Sequence, residues 1–117
     1  MKYKVLVSPG YGAGWVTWAS SIGEQMKFMA LYKPIIDYVE AGGEFPDLRC
    51  DDSDYDSNEV LKQFKRDWLE KFPDTDLPYP GGLHKIRVRE VSGPFRYDEC
   101  DGAESITEVY CDWIDPR

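Results

Sequence analysis

Histidine and paired cysteines are scarce in this chain of 117 residues, and their scarcity argues against several kinds of chemistry. A single histidine, His84, excludes a site built from several histidines. The three cysteines, Cys50, Cys100 and Cys111, form no Cys-x-x-Cys pair, which fits neither a secreted disulfide framework nor a four-ligand zinc site. We therefore expect reduced thiols, no metal and a cytoplasmic location. A dyad of His84 with one of these thiols stays open, although no nucleophile signature surrounds any of them.

Long hydrophobic runs and an excess of basic charge are also missing. No run approaches the length of a membrane span, and the opening strand is too short for the core of a signal peptide. The 22 acidic residues outnumber the 14 basic ones, which gives a formal charge of −8. Such a surface repels nucleic acid and anionic lipid, and it either attracts basic partners or serves solubility alone, as in many small acidic proteins. We therefore expect no direct contact with nucleic acid or membrane.

The residues that are present describe one folded domain. The apolar fraction of 42% and the aromatic fraction of 15% are sufficient for a packed interior. A chain of this length can build one core but not two. We therefore treat residues 1–117 as a single α+β domain.

The first half of the chain predicts one strand and two short helices. Tyr3–Val7 has the composition of a strand. The spacing of Ser21 and Glu24 predicts a capping box at the start of a helix. Pro34 is expected to kink that helix or to start a new one, and the glycine pair at 42–43 to stop the second helix.

The second half predicts a long helix and a run of strands. Asp56 or Ser57 is expected to cap the helix, which carries its apolar residues on one face and ends at Pro73. Residues 84–91 alternate between apolar and polar residues, as in a half-buried strand.

A hairpin is expected to complete the fold, with Asp101-Gly102 at its turn. A two-residue turn would place Glu99 opposite Glu104, so we expect a longer loop that relieves the repulsion. The elements together predict an α+β fold in which helices pack on one face of a mostly antiparallel sheet that ends in a three-strand meander.

A glycine-rich loop follows the first strand and has part of the pattern of a phosphate-binding loop. Gly10 and Gly12 match the first two positions of the dinucleotide motif, but the third falls on Trp15. No lysine or arginine occurs between Lys4 and Lys27. The loop therefore either binds phosphate through its N–H groups or packs its backbone closely against the rest of the fold.

Three aromatic residues accompany this loop. Trp15 and Trp18 are three residues apart and would share one side of a helical turn. They form either a stacking platform and anchor for a ligand or partner, or a lid that closes the core over the sheet. Tyr11 is the one that we expect to be exposed.

An acidic segment has part of the pattern of a calcium loop. Asp52, Asp54 and Asp56 have the spacing of the first EF-hand ligands, but Ser57 replaces the required glycine and Gln63 the required glutamate. A solvated loop, or an acidic patch that mimics the phosphates of nucleic acid, are the other interpretations.

A basic stripe contrasts with the acidic composition. Lys85, Arg87 and Arg89 alternate along one predicted strand face. They either bind an anionic ligand or pair with acids of an adjacent strand, such as Asp98.

Two motifs carry a family resemblance. The segment SPGYGAGW at residues 8–15 and the segment DGAESI at residues 101–106 together resemble a group of small uncharacterised proteins common in bacteriophage genomes. That group combines an SPGYGAGW-like start with a YDG-x-E-x-I-like hairpin, and this chain has Cys100 where the tyrosine is expected. The resemblance implies a phage context without a mechanism, and it suggests that the glycine loop and the hairpin tip form one site.

Together these features favour binding over catalysis, since no complete catalytic set and no cofactor motif is present. The leading hypothesis is a non-enzymatic acidic binding protein of phage type that acts in the host cytoplasm. Its partner would be a host protein with a basic surface, and it would inhibit a host factor or defence system. The alternative is a protein that binds or sequesters a small molecule or nucleotide, or a minor enzyme, and a structural role in a virion comes third. The predicted binding residues are Gly10, Tyr11, Gly12, Gly14, Trp15, Trp18, Asp101 and Glu104.

Overall fold

The computed structural model describes residues 2–10, 14–18, 23–46, 55–56, 58–100, 103–108, 114 and 116. Over these residues the fold is α+β, as the sequence predicts, with helices beside two antiparallel strand pairs. In chain order the helices and strands are β1 (Tyr3–Val7), α1 (Glu24–Ala30), α2 (Lys33–Glu40), α3 (Glu59–Lys71), β2 (Arg87–Val91), β3 (Phe95–Cys100) and β4 (Ala103–Glu108). Short 3-10 turns cover Val16–Trp18 and Leu83–Lys85.

The strands pair as β1 with β2 and β3 with β4. The first pair runs from Tyr3 opposite Val91 to Val7 opposite Arg87. The predicted three-strand meander is not confirmed, because within the described residues β2 hydrogen-bonds to β1 and not to β3. The reason lies in β1, whose last three residues are fully or almost fully buried, so that its backbone groups need partners inside the fold. Strand β2 supplies them.

Helix α1 starts differently from the prediction. Its N-cap is Gly23, with φ +96°, a residue that has no side chain with which to cap the helix. The capping box of Ser21 and Glu24 is therefore wrong: Glu24 is the first helical residue, whereas a capping box needs the acid at the third. Ser21 itself lies outside the described residues.

Helix α2 is the fresh start that Pro34 predicts. Proline occupies the first turn, where its missing N–H costs no hydrogen bond. The helix ends at Glu40, and Gly42, with φ +94°, takes the left-handed conformation that glycine tolerates. The N–H of Gly42 donates to the carbonyl of Val39 at 3.0 Å, and the next N–H donates to that of Tyr38 at 2.8 Å. The predicted glycine stop is confirmed.

Helix α3 is capped by Asn58, whose Oδ1 accepts from the N–H of Val60 at 2.8 Å. The prediction of Asp56 or Ser57 as the cap is wrong by one or two residues. The carboxylate of Asp56 lies instead 3.4 Å from Lys65. The helix ends at Lys71, two residues before Pro73, as predicted.

An aromatic cluster around Phe64 of α3 forms the centre of the core. This ring is fully buried, and its stacked contact with Tyr55 has a centroid distance of 5.5 Å. Its other ring neighbours, at 5.1–5.8 Å, are Trp15, Phe28, Tyr32 and Trp68. Helices α1 and α2 also contact β1. In the described part of the chain, no helix has both the length and the apolar character needed to cross a membrane.

Candidate binding site

Glu104, the second residue of β4, holds the two ends of the glycine loop. Its side chain is buried, and its Oε1 accepts from the backbone N–H of Ser8 at 2.9 Å. Its Oε2 accepts from the N–H of Trp15 at 2.8 Å, and from both the N–H and the hydroxyl of Thr17 at 2.7 Å. In return, the N–H of Glu104 donates to the carbonyl of Ser8 at 2.8 Å. We call these four residues the Glu104 clasp.

The hairpin register places Glu104 for this role. Cys100 lies opposite Ala103, so two residues connect β3 and β4, and Glu99 lies opposite Glu104. The expected longer loop is therefore wrong. The repulsion between the two carboxylates is reduced because Glu104 accepts four hydrogen bonds, and because Glu99 is exposed to solvent, which screens its charge. The hydroxyl of Thr17 lies between them, 3.3 Å from Glu99 Oε1.

The end of β1 is fixed from two further directions. The hydroxyl of Ser8, which is fully buried, donates to the carbonyl of Gly82 at 2.7 Å. The hydroxyl of Tyr97 on β3 donates to the carbonyl of Leu6. Burial raises the pKa of Tyr97 well above its usual value, and the charge of Glu104 raises it further. These contacts join β1, the turn before β2, and the β3–β4 hairpin at the clasp.

A lysine that is distant in sequence lies against the glycine loop. A Cβ atom added to Gly10 would lie 2.0 Å from Cδ of Lys85, so glycine at this position lets the lysine stem approach the backbone. Lys85 belongs to the turn before β2 and not to the predicted strand. No local pattern could reveal this neighbour, because the two residues are 75 positions apart in the sequence.

The rest of the basic stripe lies on β2. Arg87 and Arg89 are exposed. The predicted pairing with Asp98 is wrong, because β2 does not adjoin β3 in the described sheets. Asp98 instead lies 3.5 Å from Arg96 of its own strand.

The predicted binding residues are only partly brought together. Gly10 and Gly14 flank the loop, and Trp15 is fully buried with its ring 5.4 Å from that of Phe64. In this structure Trp15 therefore closes the core and is not an exposed platform. Its indole N–H has no hydrogen-bond partner among the described residues. Tyr11, Gly12 and Asp101 lie outside the described residues, as does the side chain of Trp18.

His84 lies apart from the clasp, in a cleft of about 290 Å³ that Glu44 and Arg87 also line. Its Nδ1 is 2.9 Å from the carbonyl of Gly81. Cys100, the one cysteine within the described residues, is exposed on β3 and does not line this cleft. A dyad with Cys50 or Cys111 falls outside the described residues.

Metal ligands do not converge in the part of the chain that the structure describes. No group of three or more His, Cys, Asp or Glu side chains could hold an ion there. The acidic segment that partly matches a calcium loop falls largely outside this part, since Asp52, Asp54 and Ser57 are not described.

The clasp has the donors of an anion site, but a carboxylate of the same chain fills it. Three backbone N–H groups and one hydroxyl point at the oxygens of Glu104, which is the arrangement by which glycine loops hold phosphate. The sequence shows both the loop and the glutamate, but not their contact.

Comparisons with protein-family models, curated proteins and solved structures found no match to this chain.

Proposed function

We propose that this chain is a non-enzymatic acidic binding protein that holds, and thereby inhibits, a host protein with a basic surface. The phage context and the cytoplasmic site of action come from the sequence resemblance and composition. The observation that supports the proposal most directly is the Glu104 clasp, which joins the flanks of the glycine loop to the hairpin.

The clasp favours protein binding over phosphate binding for a chemical reason. The N–H groups of Ser8, Trp15 and Thr17 already donate to Glu104, so a phosphate would have to displace a buried carboxylate. That exchange would leave an uncompensated buried charge, which is costly. The loop is therefore better suited to shaping a surface than to cradling a nucleotide.

Negative charge at the same end of the hairpin suits a basic partner. Asp98 and Glu99 are exposed on β3, and Glu99 lies opposite the clasp residue Glu104. Complementary charge of this kind steers association and fixes the orientation of a complex. We therefore propose that the partner contacts the hairpin tip together with the adjoining loop.

The test is a capture experiment with matched variants. The full-length chain, immobilised through a tag, is incubated with bacterial lysate, and bound proteins are identified by mass spectrometry. The double variant Asp98→Asn/Glu99→Gln should lose its partner. The control Asp74→Asn/Asp76→Asn changes the net charge equally at other exposed residues and should retain it. Equal loss in both variants, or no partner with the unaltered chain, would contradict the proposal.

A second candidate function, binding of a small anionic ligand such as a nucleotide, is favoured by the position of Lys85. Its aliphatic stem lies against Gly10, which brings a basic side chain next to a loop whose own sequence contains no lysine or arginine. Thermal unfolding with a panel of nucleotides tests this idea, because a ligand of the native state raises its stability. A gain of several degrees that disappears in Lys85→Met would favour this candidate over the first.

A further inference from the structure

Lysines gather at two adjoining clefts that lie beside β1, α1 and α2. One cleft has a volume of about 350 Å³ and the other about 310 Å³, and both are lined by Leu31 and Lys33. We call the two clefts together the lysine groove. Five of the eight lysines of the chain line it, namely Lys2, Lys4, Lys27, Lys33 and Lys71.

The groove has the opposite charge to the protein as a whole. Its lining includes two acids, Glu24 and Asp37, against five lysines, whereas the whole chain has a charge of −8. Lys33 lies 3.1 Å from Asp37 and its side chain is 80% exposed, so this pair is well hydrated and weak. Lys2 and Lys27 form no ion pair with any described acid. Lys4 lies 2.8 Å from Glu40 and Lys71 lies 3.7 Å from Glu24, and all four of these side chains are more than a third exposed, so these pairs are hydrated as well. Nearby acids therefore neutralise the positive charge of the groove only in part.

The floor of the groove is apolar and firmly supported. Leu31 and Phe28 are partly buried and pack on the core, and Ile36 is buried. The ring of Phe28 makes edge contacts with Trp68 at 5.8 Å and with Phe72 at 5.7 Å. A ligand would therefore meet a preformed apolar surface bordered by ammonium groups.

We propose that the lysine groove binds an extended acidic peptide segment of a partner protein, with one apolar side chain in each cleft. Two small clefts with a shared wall suit alternate side chains of a chain better than one compact molecule, because ligand pockets of this volume are at the small end of the usual range. The lysines are spread over both clefts, and among the described residues no arginine lines them to bind a single phosphate in a bidentate manner. Complementary charge selects acidic residues on the peptide.

This surface differs from that of the proposed function in residues and in sign of charge. The hairpin tip would attract a basic protein, whereas the lysine groove attracts an acidic one. Lysine-groove variants leave Asp98 and Glu99 unchanged, so the two proposals can fail independently.

Fluorescence anisotropy with a labelled ten-residue peptide of alternating Glu and Leu tests the proposal on the full chain. We expect saturable binding that weakens with added salt, since exposed charges are screened. The double variant Lys27→Glu/Lys33→Glu should weaken binding at least tenfold. The control Lys62→Glu/Lys65→Glu makes the same change of charge on α3, outside the groove, and should alter binding less than twofold.

Further arms decide what the groove recognises. A peptide with alanine in place of leucine should bind at least fivefold more weakly if the apolar floor contributes. Equal weakening by both double variants would show a general charge effect and overturn the proposal. So would failure to saturate, full competition by millimolar inorganic phosphate, or tighter binding to phosphatidylserine vesicles than to the peptide. If Lys27→Glu/Lys33→Glu unfolds at a lower temperature than its control, Lys27→Gln/Lys33→Gln replaces it.

Discussion

Removal of the clasp carboxylate is the perturbation that tests the structure most directly. In Glu104→Ala, the backbone N–H groups of Ser8, Trp15 and Thr17 lose their acceptor. Glu104→Gln keeps the shape of the side chain but replaces one oxygen by an NH₂ group, which faces donors instead of accepting from them. Both variants should therefore destabilise the fold. Because glutamine has nearly the same volume as glutamate, a loss of stability in Glu104→Gln cannot be explained by a cavity.

The magnitude follows from the number of bonds and from burial. Leaving a buried polar group unsatisfied costs about 1–3 kcal/mol, and breaking a buried charged network by removing one partner costs about 3–5 kcal/mol. We expect about 3–5 kcal/mol for Glu104→Ala and at least about 2 kcal/mol for Glu104→Gln. Since folded domains are stable by about 5–15 kcal/mol, the alanine variant should lose a large part of its stability.

Urea and thermal denaturation followed by circular dichroism provide the measurement. The matched control is Glu99→Gln, which makes the same chemical change at the exposed residue opposite Glu104 and should shift stability by no more than about 0.5 kcal/mol. Formate or acetate should partly restore the stability of Glu104→Ala, because the small carboxylate can accept hydrogen bonds from the N–H groups that lost their acceptor, and a ligand of the native state stabilises it by mass action. If Glu104→Gln matches the unaltered protein to within about 0.5 kcal/mol, the clasp does not stabilise the fold.

Three further predictions concern single residues. Tyr97 stays protonated in the fold while the same side chain ionises near pH 10 in the unfolded chain, so its contribution to stability should be constant below that pH and fall by about 1.4 kcal/mol per pH unit above it; urea denaturation from pH 9 to 11 should show that part of the slope lost in Tyr97→Phe. Gly42→Ala should cost about 1 kcal/mol or more in the same assay at neutral pH, because φ is +94° there, whereas no cost would refute the left-handed stop of α2. Asn58→Ala should lower stability by about 1 kcal/mol because the α3 cap is lost, whereas Asn58→Asp should keep most of the stability because a carboxylate can also cap. Equal stability of the unaltered protein and both variants would refute the cap.

The elements with strong local signals were predictable. The strand Tyr3–Val7, the new helix at Pro34 and the end of α3 before Pro73 all follow from propensity and from proline chemistry, which act within a few residues. Caps were less predictable. Asp56, Ser57 and Asn58 are all good capping residues in a row, and the choice among them depends on where the helix meets the core.

Strand pairing and the clasp depend on contacts between distant parts of the chain. Alternation predicted that residues 84–91 contain a strand, but nothing in that segment indicates that β1 is its partner. Glu104 was predicted as a binding residue together with the glycine loop, and the structure places it there as an internal ligand. A solvent-facing glutamate at a hairpin tip and a buried one have the same local sequence, so burial could not be inferred from it.

The clasp joins residues that are far apart along the chain. Its acceptor on β4 is separated from its donors at Ser8 and Thr17 by 96 and 87 positions along the chain. Joining parts of the chain across such a span has an entropic cost, and contacts this distant in sequence slow folding. During synthesis Ser8, Trp15 and Thr17 therefore leave the ribosome well before the glutamate that accepts their hydrogen bonds. Amide protons of Ser8, Trp15 and Thr17 should then exchange with solvent as one cooperative unit, even though none of the three lies in a strand or an α-helix.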